Sequence, residues 1–259
     1  MASSPDRVEA DRRKAARPPT GYTFGDHPQF AVTCDIVIAT MQDQRPHVLL
    51  VKRRSAPFAG WWALPGGFKH PDETLDETAR RELLEETNVE APSYLQQFRS
   101  YGDPNRDERG NVVTVAYLAV VPDVRDIVGG SDAVDAALHP IESVLDGSLD
   151  LAFDHGRIIS DAHDFIADQL DISDLATRFV PQQFALSQLQ SVYESFWETE
   201  LDSANFRRNL LADSRPYVAP TKYVAESTPS GGRPPKLFKA TRAWKDGSPP
   251  IRRRRRKSS

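Results

Sequence analysis

Glu82, Glu85 and Glu86 stand at i, i+3 and i+4 in the segment GGFKHPDETLDETARRELLEETNV, residues 66–89. Thr74 and Glu77 have the spacing of a capping box, which predicts a helix over Thr74–Thr87. That helix sets all three carboxylates on one face. Clustered carboxylates repel, and each holds its proton more tightly unless a cation neutralises them. An oxygen-only donor set suits Mg²⁺ or Mn²⁺ and not zinc. The Gly66-Gly67 turn can bring a backbone carbonyl close to the same ion. Arg81 follows Glu73 by eight residues, a spacing that lets an ion pair hold the preceding loop on the helix. A solvated Glu/Arg helix face has the same composition, so the three glutamates alone leave both readings open.

The segment resembles a Nudix box, G-x5-E-x7-R-E-U-x-E-E-x-G-U with U a bulky aliphatic. Gly67, Glu73, Arg81, Glu82, Leu83, Glu85, Glu86 and Val89 match, and Asn88 replaces the second glycine. Asn is the non-glycine residue best suited to a left-handed helix end, so the departure is mild. The resemblance implies that Gly67, Glu82, Glu85 and Glu86 hold Mg²⁺ or Mn²⁺ and serve any hydrolysis. Glu73 and Arg81 would be structural. The flanks Trp61–Gly67 and Gly102–Asp107 resemble ADP-ribose-handling Nudix domains. On that likeness Arg53, Trp62, Gly67, Arg106 and Arg109 are expected at the ligand. Guanidinium groups bind phosphate in a forked geometry. Arg53 and Arg109 are equally compatible with solvated strand-end and loop charges. Trp61 and Trp62 are adjacent, so one is expected to stack on adenine and the other to enter the core.

The elements that position these groups follow from apolar patterning. Phe30–Ala39, His47–Lys52 and Val112–Val121 read as buried strands, with a polar turn over Gln42–Pro46. A second helix is expected over Asp154–Leu170. Strands on both sides of the carboxylate helix predict an α/β or α+β domain with a mixed sheet. Beyond Phe179 the pattern changes. Leu186, Leu189, Val192, Tyr193, Phe196 and Trp197 form one helical face. Asp202 can cap a following helix over Ser203–Ala212. Extended runs at Tyr217–Ala225 and Lys236–Arg242 flank the loop STPSGGRPP, residues 227–235. Helix, helix and hairpin is the order of a winged helix-turn-helix.

The strings over Phe184–Glu194, Asn205–Leu211 and Gly232–Phe238 resemble the winged helix of the NrtR family, Nudix-related transcriptional regulators of NAD metabolism. The likeness covers Pro28 to Trp244. It implies a dimeric repressor of NAD biosynthesis or salvage genes, released from its double-stranded DNA operator by ADP-ribose or a related nucleotide. In a helix-turn-helix the second helix enters the major groove, where Arg reads guanine and Asn reads adenine. Ser203, Asn205, Arg207 and Arg208 on that helix, with Arg233 and Lys236 at the wing, are the expected DNA contacts. Each can equally be a solvated charge.

Composition bounds these readings. The chain has 259 residues, 39% apolar and 27% charged, which suggests about two soluble domains. The longest apolar run, Val112–Val121, is too short to span a bilayer. The first twenty residues lack the apolar stretch of a secretory signal. The single cysteine, Cys34, excludes a disulfide framework within one chain and fits a reducing cytoplasm. Residues 180–259 hold 15 Lys/Arg against 7 Asp/Glu, so a basic C-terminal part hides behind the overall charge of −4. Arg252–Lys257, RRRRRK, carries most of that excess and would add salt-sensitive phosphate affinity, unless it is a tail without function.

The expected plan is a flexible arm at 1–27, a Nudix domain at 28–175, a winged helix at 176–245 and a disordered basic tail at 246–259. The function expected is a cytoplasmic, nucleoid-associated regulator. The alternative is a Mg²⁺-dependent ADP-ribose pyrophosphatase giving AMP and ribose 5-phosphate, or a protein that does both. Asp123, Asp126, Asp132, Asp135 and Glu142 are candidates for a water-activating base.

Overall fold

Apolar residues on both faces of the predicted strands require a sheet covered on both sides. The computed structural model, which describes residues 21, 23–89, 92–122, 133–212, 216–225, 234–241 and 251–253, has that layering. The chain divides into two units, Met1–Phe30 and Ala31–Ser259. The described part of the first contains a 3-10 turn at Phe24–Asp26. Most of the arm expected at 1–27 lies outside the described residues.

The second unit is built on a seven-stranded sheet. Its strands are β1 (Ala31–Gln42), β2 (Arg45–Arg53), β3 (Trp62–Ala63), β4 (Gly66–Phe68), β5 (Tyr94–Tyr101), β6 (Val112–Val120) and β7 (Ala133–Pro140). The path is β3-β2-β1-β6-β5, with β4 also on β1 and β7 also on β2. β1 and β6 run parallel and the other pairs antiparallel, so the sheet is mixed as expected. The β1–β2 turn is tighter than Gln42–Pro46. Asp43 and Gln44 alone make it, at φ 49° and 63°, the positive pair that matches the twist of a hairpin.

Alternation along the strands sorts the core into two layers. Cys34, Ile36, Ile38, Leu49, Val115, Tyr117 and Ala119 face helix α1 (Leu75–Thr87), which buries Ala79 and Leu83 against them. Val37, Ala39, Val48, Leu50, Ala116, Leu118 and Val120 face the other way. There they meet the short α2 (Ile141–Leu145) and the long α3 (His155–Ile172).

That second layer continues without a break into the C-terminal elements. After a 3-10 turn at Leu175–Arg178 come α4 (Leu186–Trp197), α5 (Ser203–Leu210), β8 (Val218–Val224) and β9 (Lys236–Ala240). β8 and β9 form an antiparallel hairpin. Leu189, Val192, Phe196, Phe206, Leu210 and Phe238 belong to the same apolar cluster as Ile158, Ile166 and Leu170. The two domains expected from sequence therefore share one core. Ile251 joins it at 5% exposure, and the Arg253 N–H donates to the Asp171 carboxylate at 2.9 Å. The tail expected to be disordered from 246 onward is thus docked at 251–253, because one isoleucine beside the arginines supplies an apolar anchor.

Candidate functional site: a carboxylate-lined cavity and a helix-turn-helix

The carboxylate helix is fixed at both ends by its own sequence. Thr74 Oγ1 accepts the Glu77 N–H at 3.2 Å, and Glu77 Oε2 accepts the Thr74 N–H at 2.7 Å. Asn88 ends α1 in the left-handed conformation at φ 58°, as its replacement of glycine requires. Arg81 clamps Glu73 with two bonds, 2.6 and 3.0 Å, and reaches the Phe68 carbonyl at 3.1 Å. The Arg81 guanidinium pulls the Glu73 carboxyl down to about 2. Glu73 and Arg81 therefore lace the loop to the helix.

Glu82, Glu85, Glu86, Gly66 and Gly67 line a cavity of about 470 Å³. Gly66 is needed because a Cβ there would lie 2.2 Å from the Cys34 carbonyl oxygen. A Cβ on Gly67 would lie 2.2 Å from Glu82 Oε1. Burial raises the Glu82 carboxyl above its ordinary value, only partly countered by Arg81. Arg81 donates to Glu82 at 2.7 Å and to Glu85 at 3.2 Å, and Glu86 accepts the Gly66 N–H at 2.9 Å. The donor chemistry suits a hard divalent cation. Among the described residues no three acidic, His or Cys side chains gather about one point. Binding an ion would require the glutamates to turn from Arg81 and Gly66 toward it.

The lining of the same cavity is also cationic and aromatic. Arg53, Arg106, Arg109, Phe68 and Phe153 belong to it. Arg109 is paired with Asp107 at 2.7 Å and lies over the rings of Phe68 and Phe153. Arg106 is 5% exposed at its side chain and forks onto Asp154 at 2.6 and 3.1 Å, with Asp35 at 3.7 Å. Arg53 makes no ion pair with a described carboxylate. Its Nε donates to the Pro57 carbonyl at 2.8 Å, and its guanidinium lies 5.0 Å from the Phe153 ring. Burial, then repulsion from Arg109, lowers its pKa. Such a group gains most from an anion.

In the C-terminal part Asp202 accepts the Asn205 N–H at 2.8 Å and so caps α5. Phe206 and Leu210 face the core, which leaves Ser203, Asn205, Arg207 and Arg208 exposed. Asn205 Oδ1 accepts from Arg208, and Arg207 lies over the Phe238 ring at 5.6 Å. Lys236 opens β9 and is exposed. Arg233 lies outside the described residues.

Residues 30–162 match the NUDIX domain model, and 176–240 match the NrtR DNA-binding winged helix domain model. The "ADPR responsive transcriptional repressor NtrR" of Acinetobacter baylyi is 30% identical over 222 residues, covering 84% of this chain and 85% of that one. The chain belongs to the NrtR family. The crystal structure of Shewanella oneidensis NrtR complexed with a 27mer DNA is similar, at TM-score 0.67 and 32% identity over 81% of this chain and 93% of that one. The NUDIX domain of the same NrtR, cocrystallised with ADP ribose, matches at TM-score 0.51 and 33% identity over 63% of this chain and 99% of that one.

In this NrtR-family chain several expected residues sit elsewhere than the cavity. Trp62 does not line it. Its ring packs edge-on against His139 at 4.4 Å, with Lys52 Nζ 5.4 Å from its centre. Trp61 does not line it either and tilts against Phe58. Phe153 and Phe68 supply the aromatic wall instead. Arg106 lines the cavity but is already committed to Asp154. Asp135 and Glu142 do not line it, and Asp123, Asp126 and Asp132 lie outside the described residues.

Asp35 and His155 also line the cavity and, like Phe68 and Phe153, were not expected there from the sequence. His155 Nδ1 accepts the Leu64 N–H at 2.8 Å, and burial lowers its pKa, so the neutral ring carries its proton on Nε2. That nitrogen faces Asp35 Oδ2 at 3.8 Å. Asp35 had left one signal, a charge inside an otherwise apolar strand.

Proposed function

We propose that this protein is an ADP-ribose-responsive transcriptional repressor of NAD biosynthesis or salvage genes, working in a bacterial cytoplasm at the nucleoid. One observation carries the reading. A cavity lined by carboxylates, arginines and aromatic rings shares one core with a capped helix that presents Asn205, Arg207 and Arg208 to solvent. A homodimer would place two such helices on the half-sites of a two-fold operator. ADP-ribose fits the cavity chemically, with an aromatic wall for its base and guanidinium groups for its diphosphate. Divalent metals serve Nudix domains generally. Here Mg²⁺ would be held by Glu82, Glu85, Glu86 and the Gly67 carbonyl, and would neutralise diphosphate charge. No helix among the described residues is long and apolar enough to cross a membrane.

The test is a pull-down of sheared genomic DNA near physiological salt, with and without ADP-ribose and Mg²⁺, followed by sequencing. A few two-fold symmetric sites, lost on adding ADP-ribose, are expected. Diffuse binding that ADP-ribose leaves unchanged would overturn the repressor reading.

The three glutamates on the cavity wall favour a second activity, hydrolysis of ADP-ribose. Water attack on the diphosphate would give AMP and ribose 5-phosphate. A sensor that destroyed its effector quickly would respond weakly, so turnover is expected to be slow. AMP release measured against time decides this.

A further inference from the structure

Helix α3 runs from the cavity to the winged helix. At its first turn His155 holds the Leu64 N–H of the segment that leads into Gly66. Near its other end the Trp197 indole of α4 donates to the Ala167 carbonyl at 3.0 Å, and Arg253 holds Asp171. Its 18 residues span about 27 Å at 1.5 Å per residue.

The entry to α3 is unusual. Asp154 occupies the N-cap position but does not cap, with φ −96°, ψ 20° and no side-chain bond to the helix amides. Thr74 and Asp202, which do cap their helices, have extended backbones at ψ 166° and 116°. Both Asp154 oxygens are instead taken by Arg106, whose side chain lines the cavity while Asp154 does not. The preceding residue, Phe153, has φ 54°, a left-handed conformation unfavourable for an aromatic side chain. Its ring forms part of the cavity wall. The Asp154 carboxylate is thus engaged by a cavity cation and not by the helix amides, while the His155 N–H bond to the Ala152 carbonyl at 3.2 Å turns the chain into the helix.

We propose that Asp154 is a two-position coupling residue. It holds Arg106 while the cavity lacks an anionic ligand, and it turns to cap α3 when the diphosphate of a nucleotide takes Arg106. This rests on the repressor reading above. Phosphate oxygens match the guanidinium fork as well as a carboxylate does, and Asp35 stays beside Arg106 after Asp154 leaves. The released carboxylate is favoured at the N–H groups of Gly156 and Arg157 and by the helix dipole. Capping moves the Asp154 backbone to the extended region and re-aims the first turn. A packed helix answers as a body, and its far end carries α4. The DNA-competent arrangement is the one with Asp154 on Arg106.

Hydrogen exchange and DNA binding test this on the full chain. Calorimetry first establishes whether wild type binds ADP-ribose, and its failure would sink the repressor reading itself. On binding, the amides of Gly156 and Arg157 gain protection in wild type and not in Asp154→Ala. The DNA probe is a duplex selected by wild type from a random-sequence pool. Asp154→Asn keeps a capping side chain and loses the charge pair. Its affinity for that duplex without ADP-ribose falls about tenfold, and ADP-ribose then changes it by less than about threefold. A wild type that binds ADP-ribose with no added protection at residues 156–157 would overturn the inference. So would an Asp154→Asn protein whose DNA binding and release match wild type at equal thermal stability.

Discussion

The carboxylate of Glu82 rests on the bare Cα of Gly67, so close that a Cβ there would lie 2.2 Å from Glu82 Oε1. A methyl at 67 must push that carboxylate away, and the Glu82 side chain can give where backbone could not. Gly67→Ala is therefore expected to fold and to lose metal affinity. Mn²⁺ titration by electron paramagnetic resonance should show at least a tenfold loss, about 1.4 kcal/mol, with Glu85→Gln behaving alike. Unchanged Mn²⁺ affinity in both variants would remove these glutamates from the metal site.

The same burial sets a pH dependence. Glu82 holds its proton more tightly in the folded chain than its ordinary value of 4.5. Mn²⁺ competes with that proton, so affinity falls as the pH drops through the raised value. For the metal-free chain the sign is opposite. Glu82's contribution to stability is full below 4.5 and is lost as the pH rises through the raised value. Glu73 acts the other way, its contribution being present above 4.5 and lost as the pH falls toward about 2. Mn²⁺ titrations from pH 5 to 8 check the first point. In Glu82→Gln the component assigned to Glu82 should vanish.

Arg53 and Arg106 line one cavity and should fail differently. Arg106 neutralises Asp154 and faces Asp35, whose side chains are 17% and 11% exposed. Removing it strands buried charge, and Arg106→Ala is expected to cost about 3 kcal/mol of stability. Arg53 has no carboxylate partner among the described residues. Arg53→Ala should leave the urea midpoint nearly unchanged and weaken ADP-ribose binding about tenfold or more, the scale of a charge-assisted bond. A large stability loss in Arg53→Ala with normal ligand affinity would make Arg53 a structural residue and not a ligand contact.

What the sequence made legible was local. The α1 caps, the i, i+3, i+4 glutamates and the Glu73–Arg81 clamp are set by spacings of eight residues or fewer. The Asp202 cap and the apolar face of α4 were readable for the same reason. The misses were long-range or weakly patterned. Arg106 meets Asp154 from 48 positions away, and Trp62 meets His139 only because β7 lies on β2. Strand β4 is three residues long and two of them are glycine, while β7 is rich in alanine, so neither shows a strand's bulk or alternation. The docking of Ile251 depended on a core surface that no local pattern reveals.

Helix α5 provides the sharpest test of DNA recognition, because its side chains divide by what already holds them. Arg208 donates to Asn205 and both are exposed, so the pair is arranged for a base edge or a phosphate. Arg207 lies over Phe238, at the junction of α5 with the wing. Arg208→Ala and Arg207→Ala are each expected to cost about 1–3 kcal/mol against a selected duplex if they read bases. A phosphate contact would instead weaken all sequences alike and reduce the salt slope by about one. Asp202→Ala removes the cap and should cost about 1 kcal/mol of stability, fraying the turn that carries Ser203 and Asn205. Salt-titrated binding to selected and scrambled duplexes separates these outcomes. If both arginine variants matched wild type on both duplexes, α5 would not be the recognition helix.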